Sequence, residues 1–184
     1  MLFGELPLYQ RKILGAKPAL AVIREPLERF VSAANFAIPE ARSQCVNGRF
    51  YGMWGLPDVN VFVERQHRLG GLRYNSFFRP QSDYVESARR CGVHVDLVEF
   101  RAFTQNPAPA FARYGLDIPR LEHENNTDRK LAELGLLGKR ISAKDISPHN
   151  MQILRELYKR DFDLYHDLLR RSDEGQVATP SHGP

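Results

Sequence analysis

The segment AVIREPLERFVSA, Ala21 to Ala33, carries two arginines, a proline and a serine in the spacing R-x-P-x-x-R-x-x-S. Arg24 directly follows an apolar run, Ala19 to Ile23, which Pro18 bounds on the other side. That run reads as a short buried strand. Pro26 suits the first turn of a helix, where a missing N–H breaks no hydrogen bond. A helix beginning there presents unsatisfied backbone N–H groups and the positive end of its dipole, and both attract anions. Arg24 can direct its planar fork at a phosphate, and Ser32, about two turns into the helix, can reach the same group from the flank. Arg29, about one turn in, can join them or pair with Glu25 or Glu28. The chemistry on offer is phosphate binding where a strand hands over to a helix. Taken alone, the same pattern also suits a helix with ordinary surface charges.

The elements that must position these residues follow from hydrophobic spacing. Leu27, Phe30, Val31, Ala34 and Ile38 repeat at helical intervals, and Pro39 predicts the end of that helix. Gly48, Gly52 and Gly55 around Phe50, Tyr51 and Trp54 predict a packed surface loop. Asp58 is placed to cap a helix carrying Val59, Phe62, Val63 and Gln66, which Gly70-Gly71 closes. Val93 to Phe100 reads as a second strand, flanked by Gly92 and by the polar Thr104-Gln105-Asn106-Pro107. Phe111, Tyr114 and Leu116 suggest a short helix ending near Gly115. Ser147 and Pro148 then predict the cap and first residue of a long helix. Met151, Leu154, Leu157, Tyr158, Phe162, Tyr165, Leu168 and Leu169 form its one apolar face, with Lys159, Arg160, Asp163 and Arg170 toward water. The polar tail, 172–184, is expected to be disordered, leaving 1–171 as a single domain. Strands interleaved with helices imply an α/β fold with a mainly parallel sheet, whose ligands bind beyond the carboxyl ends of the strands.

Four segments together carry a resemblance. R-x-P-x-x-R-x-x-S after a strand resembles the 3′-phosphate-binding segment of sulfotransferases that use 3′-phosphoadenosine 5′-phosphosulfate (PAPS), with Glu25 in place of the usual aspartate. FFRPQSDYV, Phe77 to Val85, resembles the H-[FW]-x-P-Q-x-x-[YF] stretch of carbohydrate-type, membrane-associated and bacterial members. Arg79, Pro80, Gln81 and Tyr84 match it, and Phe77 stands at the histidine position. ELYKRDFDLY, Glu156 to Tyr165, resembles the family's closing helix, Y-x-x-D-[FY]-x-x-[YF]. HENNT, His123 to Thr127, is similar to a short segment that precedes it. The resemblance implies a three-layer α/β sandwich, related to the P-loop NTP hydrolases. It implies PAPS as co-substrate, no metal, and a carbohydrate-like hydroxyl as acceptor. It makes Arg24 and Ser32 the ligands of the nucleotide 3′-phosphate, with Arg29 beside them. Arg79 and Gln81 would position substrate or shape the pocket, and Pro80 would be structural.

The same family carries a phosphosulfate loop, P-K-x-G-[ST]-[ST], after its first strand. Backbone amides wrap the 5′-phosphosulfate there, and the lysine offsets charge on the bridging oxygen. Nothing upstream of Arg24 matches it. GAKPA, Gly15 to Ala19, precedes a strand instead of following one, and LGKRIS, Leu137 to Ser142, lacks the upstream glycine of a nucleotide loop. Both read as ordinary turns. The expectation is an N-terminally incomplete sulfotransferase fold: a start placed too far downstream, a remnant, or a piece encoded separately. Sulfuryl transfer also needs a base for the acceptor hydroxyl. The candidates are His67 and Glu64, neighbours on one predicted helix face, with His94 and His123 behind them.

Bulk properties bound the rest. The chain has 184 residues, 42% hydrophobic, enough for a domain with a core. No apolar run has the length of a membrane span, and the N-terminus lacks a signal-peptide pattern, so a cytoplasmic location is expected. Cys45 and Cys91 are too few for a disulfide framework and form no metal-type pair. A net charge of +4 favours an anionic partner. Three readings follow: a sulfotransferase, a non-catalytic nucleotide-binding remnant of one, and a basic nucleic-acid-binding protein. The last would use pairs such as Arg89-Arg90 and Arg170-Arg171, which lie in no recognisable binding motif.

Overall fold

β1 spans Ala19–Ile23, the apolar run identified above, and lies parallel to β2, Val95–Glu99. Their register runs from Ala19 opposite Val95 to Ile23 opposite Glu99. The computed structural model describes residues 18–43, 58–118 and 140–173. Two residues beyond β1 the chain enters α1, Pro26–Ser43, with Pro26 as its first residue. The remaining helices are α2, Val59–Arg68; α3, Gly71–Tyr74; α4, Gln81–Arg90; α5, Phe100–Gln105; α6, Ala108–Ala112; α7, Pro148–Leu157; and α8, Lys159–Asp173. A 3₁₀ turn, Ala143–Asp145, precedes α7. The described chain is thus mixed α/β and mostly helical, with a two-stranded parallel sheet. No helix among the described residues is long and apolar enough to cross a membrane.

The chain forms two compact units, each assembled from separate stretches of sequence. The first comprises Met1–Glu25, Gln81–Leu121 and Arg160–Pro184; the second comprises Pro26–Pro80 and Glu122–Lys159. In the first unit the core is aliphatic. Ile23 of β1 and Val95 of β2 pack with Val85 and Ala88 of α4, Val93, and Leu168 of α8, all at most 8% exposed. Burying side chains of this size stabilises a fold by about 1.5–3 kcal/mol each.

The second unit is built on aromatic rings. Phe30 of α1, Phe62 of α2, Phe78 and Tyr158 are each under 2% exposed. Phe78 lies 4.9 Å from Phe62 and 5.4 Å from Phe30, centroid to centroid, in tilted geometry. Tilted pairs at such distances suit the ring quadrupoles. The Tyr158 hydroxyl donates to the Phe78 carbonyl at 2.6 Å, so its one polar atom is satisfied in the core.

Local chemistry explains most boundaries. The Asp58 carboxylate accepts the Asn60 N–H at 2.6 Å and caps α2, whose buried side chains are Val59, Phe62, Val63 and Gln66. Gly70, at φ +68°, turns the chain out of that helix, and Gly71 opens α3. Ser147 caps α7, accepting the Asn150 N–H at 3.2 Å, with Pro148 first in the helix. Ser142 and Asp145 form a reciprocal capping box ahead of it.

Five expectations are corrected. α1 does not end at Pro39 but continues to Ser43, because a proline removes one hydrogen bond without obliging the helix to stop. β2 ends at Glu99, and Phe100 to Gln105 are helical, because the Glu99 carboxylate accepts the Ala102 N–H at 2.7 Å and caps α5. The helix near Phe111 ends at Ala112, ahead of Gly115. The long closing helix is two helices, interrupted at Tyr158, where ψ moves to +14° at the residue tethered to Phe78. Asp173, placed in the tail above, ends α8. The glycine-rich loop around Trp54, Cys45, the HENNT segment with His123, GAKPA as far as Lys17, LGKRIS as far as Lys139 and 174–184 lie outside the described residues.

Candidate functional site

One residue from each of three resembling segments, Arg24, Gln81 and Asp161, joins the others in the first unit. α4 starts at Gln81, directly after Pro80, and its first N–H groups need acceptors. Asp161 of α8 supplies them: its carboxylate accepts the Gln81 N–H at 2.7 Å and the Ser82 N–H at 2.8 Å. Asp161 is fully buried. A buried carboxylate there is stabilised by two charge-assisted hydrogen bonds and by the helix dipole. Gln81, held in this way, turns its side-chain amide to Arg24. Its Nε2 donates to the Arg24 carbonyl at 2.9 Å, and its Oε1 accepts the Arg24 N–H at 3.2 Å.

This clasp stands where strand pairing stops. The ladder ends with Ile23 opposite Glu99, so the next residue on each strand is Arg24 and Phe100. The Arg24 guanidinium carbon lies 4.8 Å from the centroid of the Phe100 ring, a cation–π contact. Arg24 is half-buried. Its backbone is therefore held by Gln81 and its guanidinium by a ring, at the carboxyl end of a parallel strand. An apolar cavity of about 250 Å³ runs along β1 and is bordered by Gln81 and by Tyr84, another residue of the FRPQ segment.

Of the remaining sequence-derived candidates, His94 lies in the first unit and Arg29, Ser32, Arg79, Glu64 and His67 lie in the second. Arg29 is half-buried and Ser32 exposed on α1. Arg79 is half-buried just ahead of α4, its backbone N–H donating to the Asn75 carbonyl at 2.8 Å. Glu64 and His67 are exposed and one turn apart on α2. The Glu64 carboxylate accepts from the Asn150 side chain at 3.3 Å. No protein-family model, no curated protein and no solved structure matches the chain.

Asp161 and Phe100 escaped the sequence reading as contributors to the site. Asp161 was visible as the aspartate of the closing-helix pattern, but the helical face around it is drawn by apolar residues. By its sequence Phe100 reads as the last residue of a strand. Only the parallel register sets it beside Arg24.

A second polar cluster occupies the start of β2. Asp96 accepts the Tyr114 hydroxyl at 2.7 Å and lies 3.1 Å from His94 Nε2. Burial raises the Asp96 carboxyl, but the hydrogen bonds from Tyr114 and His94 and the charges of His94 and Arg113 outweigh it, so the group titrates below its ordinary value. Burial and the bond to Asp96 push the Tyr114 phenol up to about 12. The cluster sits near the amino end of β2, whereas Phe100 follows the carboxyl end.

The nucleotide that the resemblance implies has two anionic ends, a 3′-phosphate and a 5′-phosphosulfate. A guanidinium backed by a ring at a strand's carboxyl end is a donor set for phosphate. For the 5′-phosphosulfate end, the given sequence contains no segment of the P-K-x-G-[ST]-[ST] type.

Proposed function

We propose that this chain is a PAPS-type sulfotransferase domain that holds the 3′-phosphate of an adenine nucleotide through Arg24, the first residue of its R-x-P-x-x-R-x-x-S segment. The observation that carries this reading is the hydrogen-bonded chain Asp161–Gln81–Arg24. It ties together one residue from each of three segments that resemble the family: the closing helix, the P-Q segment and the phosphate segment. A chance collection of motif matches has no reason to be linked in this way. Cation–π support and a strand-end position add to the case for Arg24.

When bound, PAPS supplies the sulfuryl group, and the acceptor is a hydroxyl of a carbohydrate-like molecule. The chain's own part is to bind and orient the nucleotide. Arg24 offers parallel N–H donors to phosphate oxygens. Glu64 and His67 are the candidates to take the acceptor proton. The fold that accompanies this reading is the three-layer sulfotransferase sandwich.

Isothermal titration with 3′-phosphoadenosine 5′-phosphate, followed by an assay for sulfate transfer, tests the proposal. Binding with turnover supports the enzyme. Binding without turnover assigns the chain to the non-catalytic, nucleotide-binding form of the same fold. Salt-dependent binding to generic DNA or RNA, with no nucleotide preference, contradicts both.

A further inference from the structure

We infer that Gln81, Asp161 and Phe100 are positioning residues that preset Arg24 for an anion before any ligand arrives; the inference rests on the reading of Arg24 as a phosphate ligand.

Arg24 lies one step past the last paired residues of the sheet, so the ladder does not fix its backbone. Gln81 takes over that task. One planar amide engages both the N–H and the C=O of Arg24, as a neighbouring strand would. A side-chain amide holds this geometry only if its own backbone is fixed. Asp161 provides that by gripping the first two N–H groups of α4. The same grip answers the dipole of α4, so this helix start is occupied and is not itself the anion site.

Phe100 acts on the other end of the residue. A long arginine side chain loses rotamer freedom when it clamps a phosphate, and that loss weakens binding. Stacking on the Phe100 face limits the freedom already in the free protein. The ring engages the face of the guanidinium and so orients the plane of its N–H fork. The arrangement therefore separates tasks: Asp161 fixes α4, Gln81 fixes the Arg24 backbone, and Phe100 fixes the guanidinium plane.

The test uses the full chain in two arms. Amide hydrogen exchange, read by NMR without ligand, reports the Arg24 N–H in the wild type and in Gln81→Ala and Phe100→Leu. Titration with 3′-phosphoadenosine 5′-phosphate and with adenosine 5′-phosphate reports the preference for the 3′-phosphate. Gln81→Ala should expose the Arg24 amide while β1 amides paired with β2 stay protected, and should cut the preference by about tenfold. Phe100→Leu keeps apolar bulk, should leave the amide protected, and should cut the preference by about threefold. Adenosine 5′-phosphate should bind all three proteins alike. An Arg24 amide equally protected in Gln81→Ala overturns the inference, as does an equal loss for both nucleotides. If Gln81→Ala does not fold, Phe100→Leu decides: an unchanged preference overturns the inference. A wild type with no preference overturns the phosphate reading of Arg24, and the exchange arm still supports or overturns the clasp.

Discussion

The carboxylate of Asp161 accepts the backbone N–H of Gln81 at 2.7 Å, across 80 residues of chain. Neither residue is exposed, and each completes the hydrogen bonding of another segment. Asp161 satisfies the start of α4, and Gln81 satisfies the residue that follows β1. Removing Asp161 strands two buried N–H groups, and removing Gln81 takes a partner from the part-buried backbone of Arg24.

Asp161→Ala leaves two buried N–H donors without acceptors. Each unsatisfied buried donor costs about 1–3 kcal/mol, so the variant should lose about 2–6 kcal/mol by denaturant unfolding. Asp161→Asn, which keeps one acceptor oxygen, should lose less. Equal stability of Asp161→Ala and the wild type would contradict the hydrogen-bond assignment.

Tyr158→Phe keeps the ring in the aromatic cluster and removes only the hydroxyl that donates to Phe78. The buried carbonyl then lacks that donor, and about 1–2 kcal/mol should be lost. A full aromatic deletion, Tyr158→Ala, should cost about 3–5 kcal/mol, because a cavity opens as well.

Gly70 adopts φ +68°, a region where a side chain is strained, so Gly70→Ala should destabilise by about 1 kcal/mol. At Gly71 the obstacle is space: an added Cβ would land on the amide oxygen of the buried Gln66. Gly71→Ala should therefore disturb α2 and α3 together, visible as loss of helical signal by circular dichroism on mild heating.

The Asp96 cluster sets a pH dependence of defined sign. Its folded carboxyl titrates below its ordinary value, so the unfolded chain binds the proton first as pH falls. Its contribution is fully present above the ordinary aspartate value and is lost as pH falls through the lowered folded one. For Tyr114 the folded value is raised, so its contribution is present below the ordinary tyrosine value and lost as pH rises through about 12. Tyr114→Phe should be less stable than the wild type near neutrality, and the gap should close at both extremes. A gap constant across pH would contradict this.

Local signals in the sequence account for much of the fold. Pro26, Asp58, Ser147 and Pro148 act through bonds within a few residues of themselves, so their type and position suffice to place α1, α2 and α7. The apolar run of β1 was equally legible. What the sequence hides is long-range. Asn35 clasps the backbone of Ile141, donating to its carbonyl at 2.8 Å and accepting its N–H at 2.9 Å. Asn60 likewise accepts from the Ser147 N–H at 2.7 Å and donates to the Asp145 carbonyl at 2.9 Å. Gln81 does the same to Arg24. A side-chain amide looks alike in sequence whether it faces water or holds a distant segment. Within the candidate site, Arg24 is legible because a strand end next to a helix start is a local feature. Its supports, Phe100 and Asp161, are set by sheet register and helix placement, which no local spacing encodes.

The most direct test of the account is the nucleotide titration of the wild type beside Arg24→Ala. A charge-assisted hydrogen bond contributes about 1.5–3 kcal/mol, so the wild type should prefer 3′-phosphoadenosine 5′-phosphate over adenosine 5′-phosphate by about tenfold or more. Arg24→Ala should bind the two alike. A wild type that binds both nucleotides equally, or an Arg24→Ala variant that keeps the preference, would contradict the assignment of the phosphate to Arg24.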